Sequence, residues 1–306
     1  MAIGGTAAGD GQFVADSPRR AAADRTHVSS SLLSDVRPPE SIDVPAPLFD
    51  PTGAAEREFL AGVLRGHDEV RRLVENRRGR DVCWLEPPQE TEPLVTVRIA
   101  TYNRGPLVAE RAIASARAQT YERLEILVVG DACDEETREA VRAVDDPRVR
   151  FLNTGRRGVY PPGRRHRWMV AGAHPMNVAL SVARGAWLAP CDDDDELTPD
   201  HVEVLLAHVR EHRLEMAWSK ARCEVAPGRW TEIGSHPLEP SRISHGSVLY
   251  SLGLRHFLHN PGAWRLNAPG DWNLWDRMRN AGVRMGFLDR VTYHHYLEEL
   301  QRGDDQ

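Results

Sequence analysis

Five consecutive carboxylates, Asp192-Asp193-Asp194-Asp195-Glu196, follow the apolar stretch Ala186-Trp187-Leu188-Ala189-Pro190 after the single residue Cys191. Two carboxylates about 5 Å apart repel by roughly 3 kcal/mol at an effective dielectric near 20. A folded domain tolerates such a run through full solvation, protonation or a bound cation. Taken alone, an acidic run is most often a solvated cap, here for the helix announced by Thr198-Pro199. Three further segments change that reading: Thr101-Tyr102-Asn103-Arg104, Asp131-Ala132-Cys133-Asp134, and the basic stretch from Gly155 to Gly163. Each follows a run that reads as a strand. An aromatic, an isolated Asp, several arginines and a carboxylate cluster at one sheet edge describe a site for a nucleoside diphosphate. Tyr102 could stack on a base, Asp131 could accept from a base or ribose donor, and Arg157 is the arginine chosen for phosphate. Mg2+ and Mn2+ bind through one or two carboxylates plus substrate phosphates. No glycine-rich phosphate loop is present, so a metal is the expected anchor of the diphosphate.

The elements that must position these groups alternate strand and helix. Strands are expected at 94–100, 124–130, 149–153 and 186–190, and helices at 106–119, 135–144, 175–184 and 199–212. Residues 154–173 read as one long loop. Short strands follow near 215–225, 229–233 and 247–251, then a helix at 271–281 and a strand pair around 284–295. This is an α/β pattern, with a mostly parallel central sheet and helices on both faces. In such sheets ligands collect at the carboxyl ends of the strands. Before it, residues 1–48 have few large apolar side chains and are expected to be disordered. Asp50-Pro51 then opens a helix at 54–75, for packing or for homodimer formation, and a linker runs from 79 to 93.

The chain of 306 residues carries a net charge of −6, which gives no reason to expect a nucleic acid or a charged membrane surface as partner. Four scattered cysteines suit reduced thiols rather than a disulfide framework. No run approaches the ~20 apolar residues of a membrane span, so the expected location is cytoplasmic.

The ordered segments Thr101-Tyr102-Asn103-Arg104, Val128-Val129-Gly130-Asp131-Ala132-Cys133-Asp134, Asn177-Val178-Ala179-Leu180, Ala183-Arg184-Gly185, Asp192 to Glu196 and Gly270-Asp271-Trp272-Asn273-Leu274-Trp275 resemble the family-2 glycosyltransferases. The resemblance covers roughly residues 94–296 and implies a single GT-A, Rossmann-like domain over 94–306. Residues 94–198 would be its nucleotide-sugar half and 199–306 its acceptor half. The extension 49–93 and the segment 1–48 would precede it. The resemblance also implies a nucleoside-diphosphate sugar, UDP-linked, as donor and Mn2+ or Mg2+ as cofactor. Asp192 and Asp194 would be the outer residues of an Asp-x-Asp metal motif, and in an extended segment both would share one face. Asp193 and Asp195 would then sit behind them, with Glu196 in the turn to the next helix. Tyr102 and Asp131 would meet the base, with Thr101, Asn103, Arg104, Asn177 and Asp193 also lining the donor. Asp271 would be the general base of an inverting transfer, although at the start of a helix an Asp is also a common cap.

Some relatives place a C-terminal His on the metal, which points to His294. Adjacent strand residues face opposite ways, so only one of His294 and His295 reaches the site. Departures from the family pattern are Gly130-Asp131-Ala132-Cys133, where Asp-Asp-Gly-Ser is common, and Gly270, where Glu is usual. The acceptor, whether glycan, protein, lipid or small molecule, is left open. The alternatives are a degenerate module that binds nucleotide or glycan without turnover, and another metal–phosphate enzyme, whose usual motifs are missing.

Overall fold

The computed structural model describes residues 68–78 and 92–297. The expectations for 1–48, for most of 49–93 and for Cys83 fall outside the described residues.

Strand β1 (Val95–Thr101) is flanked by β2 (Leu124–Gly130) and β4 (Trp187–Asp192), and β3 (Val149–Asn153) lies beyond β2. All four run parallel. β1 and β2 are buried on both faces, which is why their sequences read as near-continuous apolar runs rather than alternating ones. The order continues through β8 (Val248–Ser251), β6 (Met216–Ala226), β9 (Met285–His295) and β5 (Glu196–Leu197), with β7 (Arg229–Ile233) paired to β6. β8 is antiparallel to both β4 and β6, and β9 is parallel to β6. The carboxyl ends of β1, β2, β4, β6 and β9 therefore share one edge. The α/β architecture expected from the alternation is the one found.

Helix α2 is built from three consecutive pieces, Gly105–Val108, a π-helical Ala109–Ile113 and Ala114–Arg117. Helix α3 (Glu135–Arg142) is capped by Asp134, whose carboxylate accepts from Thr137 N at 3.0 Å. Residues 154–173 are not one loop. They contain helix α4 (Arg164–Val170), whose buried Met169 and Val170 pack on Ala263. Only its last three residues are apolar, too short a run to show a helical period. Helix α5 (Ala173–Val182) follows at once, after Gly172 in the left-handed region at φ 74°. Helix α6 (His201–Glu211) and helix α7 (Gly270–Asn280) complete the set.

Helix α1 over 68–78 lies on this domain. Leu73 is buried among Leu274, Trp275 and Met278 of α7. Glu69 pairs with Arg277, and Arg77 Nε donates to Glu215 at 3.0 Å. Packing is thus a role the expected N-terminal helix has. Among the described residues no helix is long and apolar enough to cross a membrane.

Candidate active site

The acidic run does not stay extended. β4 closes at Asp192, the chain turns through Asp193 and Asp194, and Glu196 opens the two-residue strand β5 rather than the turn to α6. Asp192 and Asp194 consequently meet different partners instead of sharing a strand face. Asp192 Oδ1 accepts from His245 Nδ1 at 2.7 Å. Asp194 pairs with Arg104, which also reaches Asp193 Oδ1 at 3.3 Å, while Arg111 donates to the Asp194 carbonyl. Asp195 is fully buried. Its Oδ2 accepts from Tyr293 OH at 2.5 Å and from His295 Nδ1 at 2.7 Å, and its Oδ1 from Tyr296 N at 2.8 Å.

The charge crowding is visible in the protonation of the run. Burial, reinforced by Asp194, pushes Asp193 up to about 7 against the pull of Arg104. Burial likewise pushes Asp195 up to about 6, opposed by His295. Burial works the same way on Asp192, but His245, His295 and Arg98 hold it well below the usual carboxylate range. Burial pulls His295 down, but its bond to Asp195 together with the charges of Asp195, Asp192 and Asp194 holds it up at about 9.

Behind Asp192 lies a group of residues that the sequence did not mark out. Arg98, in the middle of β1, is 1% exposed. Its guanidinium contacts His259 Nε2 at 2.9 Å and His245 Nε2. Arginine has only donors, so both Nε2 atoms act as acceptors. His245 therefore carries its proton on Nδ1 and donates it to Asp192. His259 is fixed in turn by Asn177, whose Oδ1 accepts from His259 N at 2.8 Å and whose Nδ2 donates to His259 O at 2.9 Å. Next to His245, Gly246 lies so close to the Tyr293 ring that a Cβ would sit 2.1 Å from it; only glycine fits there.

At the other end, Tyr102 is 38% exposed, and the Arg157 guanidinium lies 3.6 Å from the centre of its ring, a cation–π stack. Asp131 is 2% exposed, and both its oxygens are engaged: Gly158 N donates at 2.8 Å and Tyr160 OH at 2.6 Å. It thereby holds the 155–163 loop against β2. Asn103 takes φ 50°, and its Oδ1 accepts from Asp134 N at 2.8 Å. Thr101 is buried at the end of β1, and its carbonyl accepts from Asp131 N at 2.9 Å.

Asp271 lies in the first turn of α7, beyond the Pro269 cap, and its Oδ1 accepts from Trp272 N at 2.7 Å. Burial raises it, His245 lowers it and Asp192 raises it, so the carboxyls of Asp271 and Asp192 share His245 as electrostatic neighbour. His294 faces away from this group. Its Nδ1 is 4.0 Å from Glu196, and its ring lies 6.2 Å from that of Trp230. Among the described residues no three or more His, Cys, Asp or Glu side chains converge as a ready-made metal site. The donor set at Asp192–Asp194 nevertheless fits a hard divalent cation held by one or two carboxylates. Burial and the adjacent Asp194 push Asp193 up, a crowding that a cation would relieve and that Arg104 partly offsets.

Comparison with known proteins places this arrangement. The family described as "Glycosyl transferase family 2" matches residues 96–252, just over half of the chain. WcaA of Escherichia coli (strain K12), which carries the name of a colanic acid biosynthesis glycosyl transferase, is 29% identical over 205 residues, 62% of this chain and 67% of WcaA. The succinoglycan biosynthesis protein ExoO of Rhizobium meliloti (strain 1021) is 36% identical over 124 residues, 40% of this chain and 32% of ExoO. The crystal structure of S. aureus TarS superposes with a TM-score of 0.53 at 17% identity, over 67% of this chain and 37% of TarS. A 1–349 fragment of TarS, solved in complex with UDP, gives 0.51 at 16% identity over 67% of this chain and 61% of the fragment. The chain thus spans about a third of the length of ExoO and of the TarS chain in that crystal structure. The TarS likeness reaches only the fold, whereas the family match runs from β1 through the acidic run to the end of β8: the chain belongs to glycosyl transferase family 2.

Proposed function

We propose that the chain is a metal-dependent, inverting glycosyltransferase that moves a sugar from a UDP-sugar to an acceptor hydroxyl. The observation that carries this is that Asp271, at the start of α7, lies within electrostatic reach of His245 and of Asp192, at the end of β4, while His245 itself donates to Asp192. It sets a carboxylate of raised pKa beside the carboxylate run that would face the donor diphosphate. A general base works best when its pKa is brought toward the working pH, and burial moves Asp271 in that direction.

In this reading Asp271 takes the proton of the acceptor hydroxyl. The freed oxygen attacks the anomeric carbon, and the bond from that carbon to the diphosphate oxygen breaks, its electron pair leaving with UDP. Attack from the face opposite the leaving group inverts the configuration. Tyr102 stacks on the base in place of Arg157, which swings to the diphosphate. Asp131 acts through the loop it holds at Gly158 and Tyr160. When bound, Mn2+ or Mg2+ at Asp192 and Asp194 supplies Lewis-acid neutralisation of the leaving diphosphate. Asn177 acts through His259 and, with Arg98 and His245, orients Asp192. UDP in the TarS fragment supports the choice of nucleotide, and the buried free thiols Cys133, Cys191 and Cys223 suit the reducing cytoplasm.

The test is Asp271→Asn. Removing a general base costs about 10²–10⁴ in kcat, read as UDP release from a panel of UDP-sugars with Mn2+. UDP binding by calorimetry is expected to stay unchanged. Undiminished turnover would remove the role given to Asp271. Absence of turnover in the wild type with every UDP-sugar, despite nucleotide binding, would favour a binding module.

A further inference from the structure

β7, β6, β9 and β5 form a four-stranded ribbon at the wing of the sheet remote from β3. Register sets Glu232 opposite Arg222, Arg222 opposite His294, and His294 opposite Glu196. Residues directly opposite one another across a ladder project from the same face. One row of side chains therefore crosses all four strands, about 14 Å from end to end at the usual strand spacing. The intervening residues Ala221, Cys223 and Tyr293 point to the core, which leaves the row on the open face. In the next row Trp230 lies opposite Glu224. The Trp230 ring stands edge-to-face with Tyr296 at 5.1 Å, and Arg222 lies 5.2 Å from its centre. Tyr296 is itself fixed, donating to Glu196 at 2.7 Å beneath the Arg111 guanidinium. The ribbon carries an open cleft of about 540 Å³ lined by Thr198, Arg222, Trp230, Thr231, Glu232, Val291 and His294.

The chemistry of the lining selects the ligand. A held aromatic ring offers an apolar platform, and the planar charged groups around it offer both donors and acceptors. The lining carries one fixed cation, Arg222, and one carboxylate, Glu232, so the cleft asks for no net charge on its occupant. A molecule with one C–H face and a rim of hydroxyls meets these demands; a polyanion does not. The volume suits a small-molecule site, and the row is long enough for more than one sugar ring. The cleft also opens at the carboxyl ends of β6 and β9, the edge that carries the acidic run, and His294 in it is adjacent to His295, which holds Asp195.

We propose that this ribbon is a saccharide-binding cleft, in which Trp230 stacks on a sugar ring and Arg222, Glu232 and His294 hydrogen-bond its hydroxyls. It would hold the part of a glycan acceptor that lies away from the reacting hydroxyl. Its assignment to an acceptor rests on the glycosyl-transfer reading; binding itself does not. The experiment is to probe the full chain on an array of neutral and acidic oligosaccharides and to titrate the best binder by calorimetry. Wild type and Asp271→Asn are expected to bind a neutral saccharide alike, and Trp230→Ala to weaken it at least tenfold. Trp230→Phe keeps a ring and should retain most of the binding, and Arg222→Gln serves as a second probe if Trp230→Ala does not fold. No saccharide bound, only acidic ones bound, or equal binding by wild type, Trp230→Ala and Arg222→Gln would each overturn the proposal. Because Asp271→Asn is expected to bind without turning over, loss of saccharide binding and loss of the general-base assignment are separate results.

Discussion

At the scale of single residues, the centre of gravity is Arg98 rather than any one aspartate. Its guanidinium decides which nitrogen of His245 carries the proton, and that proton fixes one oxygen of Asp192. Partners that orient a metal-binding carboxylate are commonly worth 10–100-fold in metal affinity or activity. We expect His245→Ala to lower both Mn2+ affinity, measured by thermal shift with UDP present, and kcat by that order, leaving KM for the donor little changed. His245→Asn retains an amide donor and should recover most of the loss; an Asn variant as poor as Ala would sink the hydrogen-bond argument. Arg98 itself was readable in one respect: a lone arginine inside Val95-Thr96-Val97-Arg98-Ile99-Ala100 is an anomaly in a buried strand. Its partners were not readable, because His245 and His259 come from 147 and 161 residues further along and neither lies in a recognisable motif. Asn177 was singled out, but as a donor contact, whereas its amide grips the His259 backbone.

At the scale of elements, the runs that were easiest to read are the ones buried on both faces, β1, β2 and β4. Their apolar sequence is dictated by the sheet alone. What escaped was short: α4 has seven residues and β5 two, below the length at which a period can be seen. The turn after Asp192 escaped for another reason. Five like charges carry no hydrophobic pattern, so only their partners, Arg104 on one side and Tyr293 with His295 on the other, determine the path. Helix α1 illustrates packing that sequence could suggest but not direct. Leu73 fills a place beside Trp275 in α7, the helix whose first turn carries the candidate base. Leu73→Ala should cost about 2–4 kcal/mol, seen as a lower urea midpoint at unchanged slope. A shift below about 0.5 kcal/mol, the size of an ordinary surface substitution, would mean that α1 is not docked as described.

For the whole molecule, pH is the probe that reaches the core. His201 is completely buried on α6, its Nδ1 bonded to Thr292 at 2.8 Å, and burial pulls it from 6.5 down to about 4. The folded value lies below the unfolded one. Neutral His201 therefore gives its full contribution above about pH 6.5, and that contribution drains away as pH falls toward 4. The limit of the loss is about 3 kcal/mol. Urea midpoints measured at pH 7.5 and pH 5 should fall more steeply in the wild type than in His201→Gln, and equal pH dependence would contradict the assignment.

The same long-range assembly bears on how the chain is made. Synthesis delivers β1 to β4, residues 95–192, before His245 and His259 exist. Through that interval Arg98 would lack both its hydrogen-bond acceptors inside a sheet built to bury it, with only the charge of Asp192 in reach, and an incompletely paired buried charge costs several kcal/mol. The leading half cannot close over its own centre. It must stay hydrated until the histidines leave the ribosome, so a chain truncated before residue 245 should fail to compact rather than yield a half-size domain.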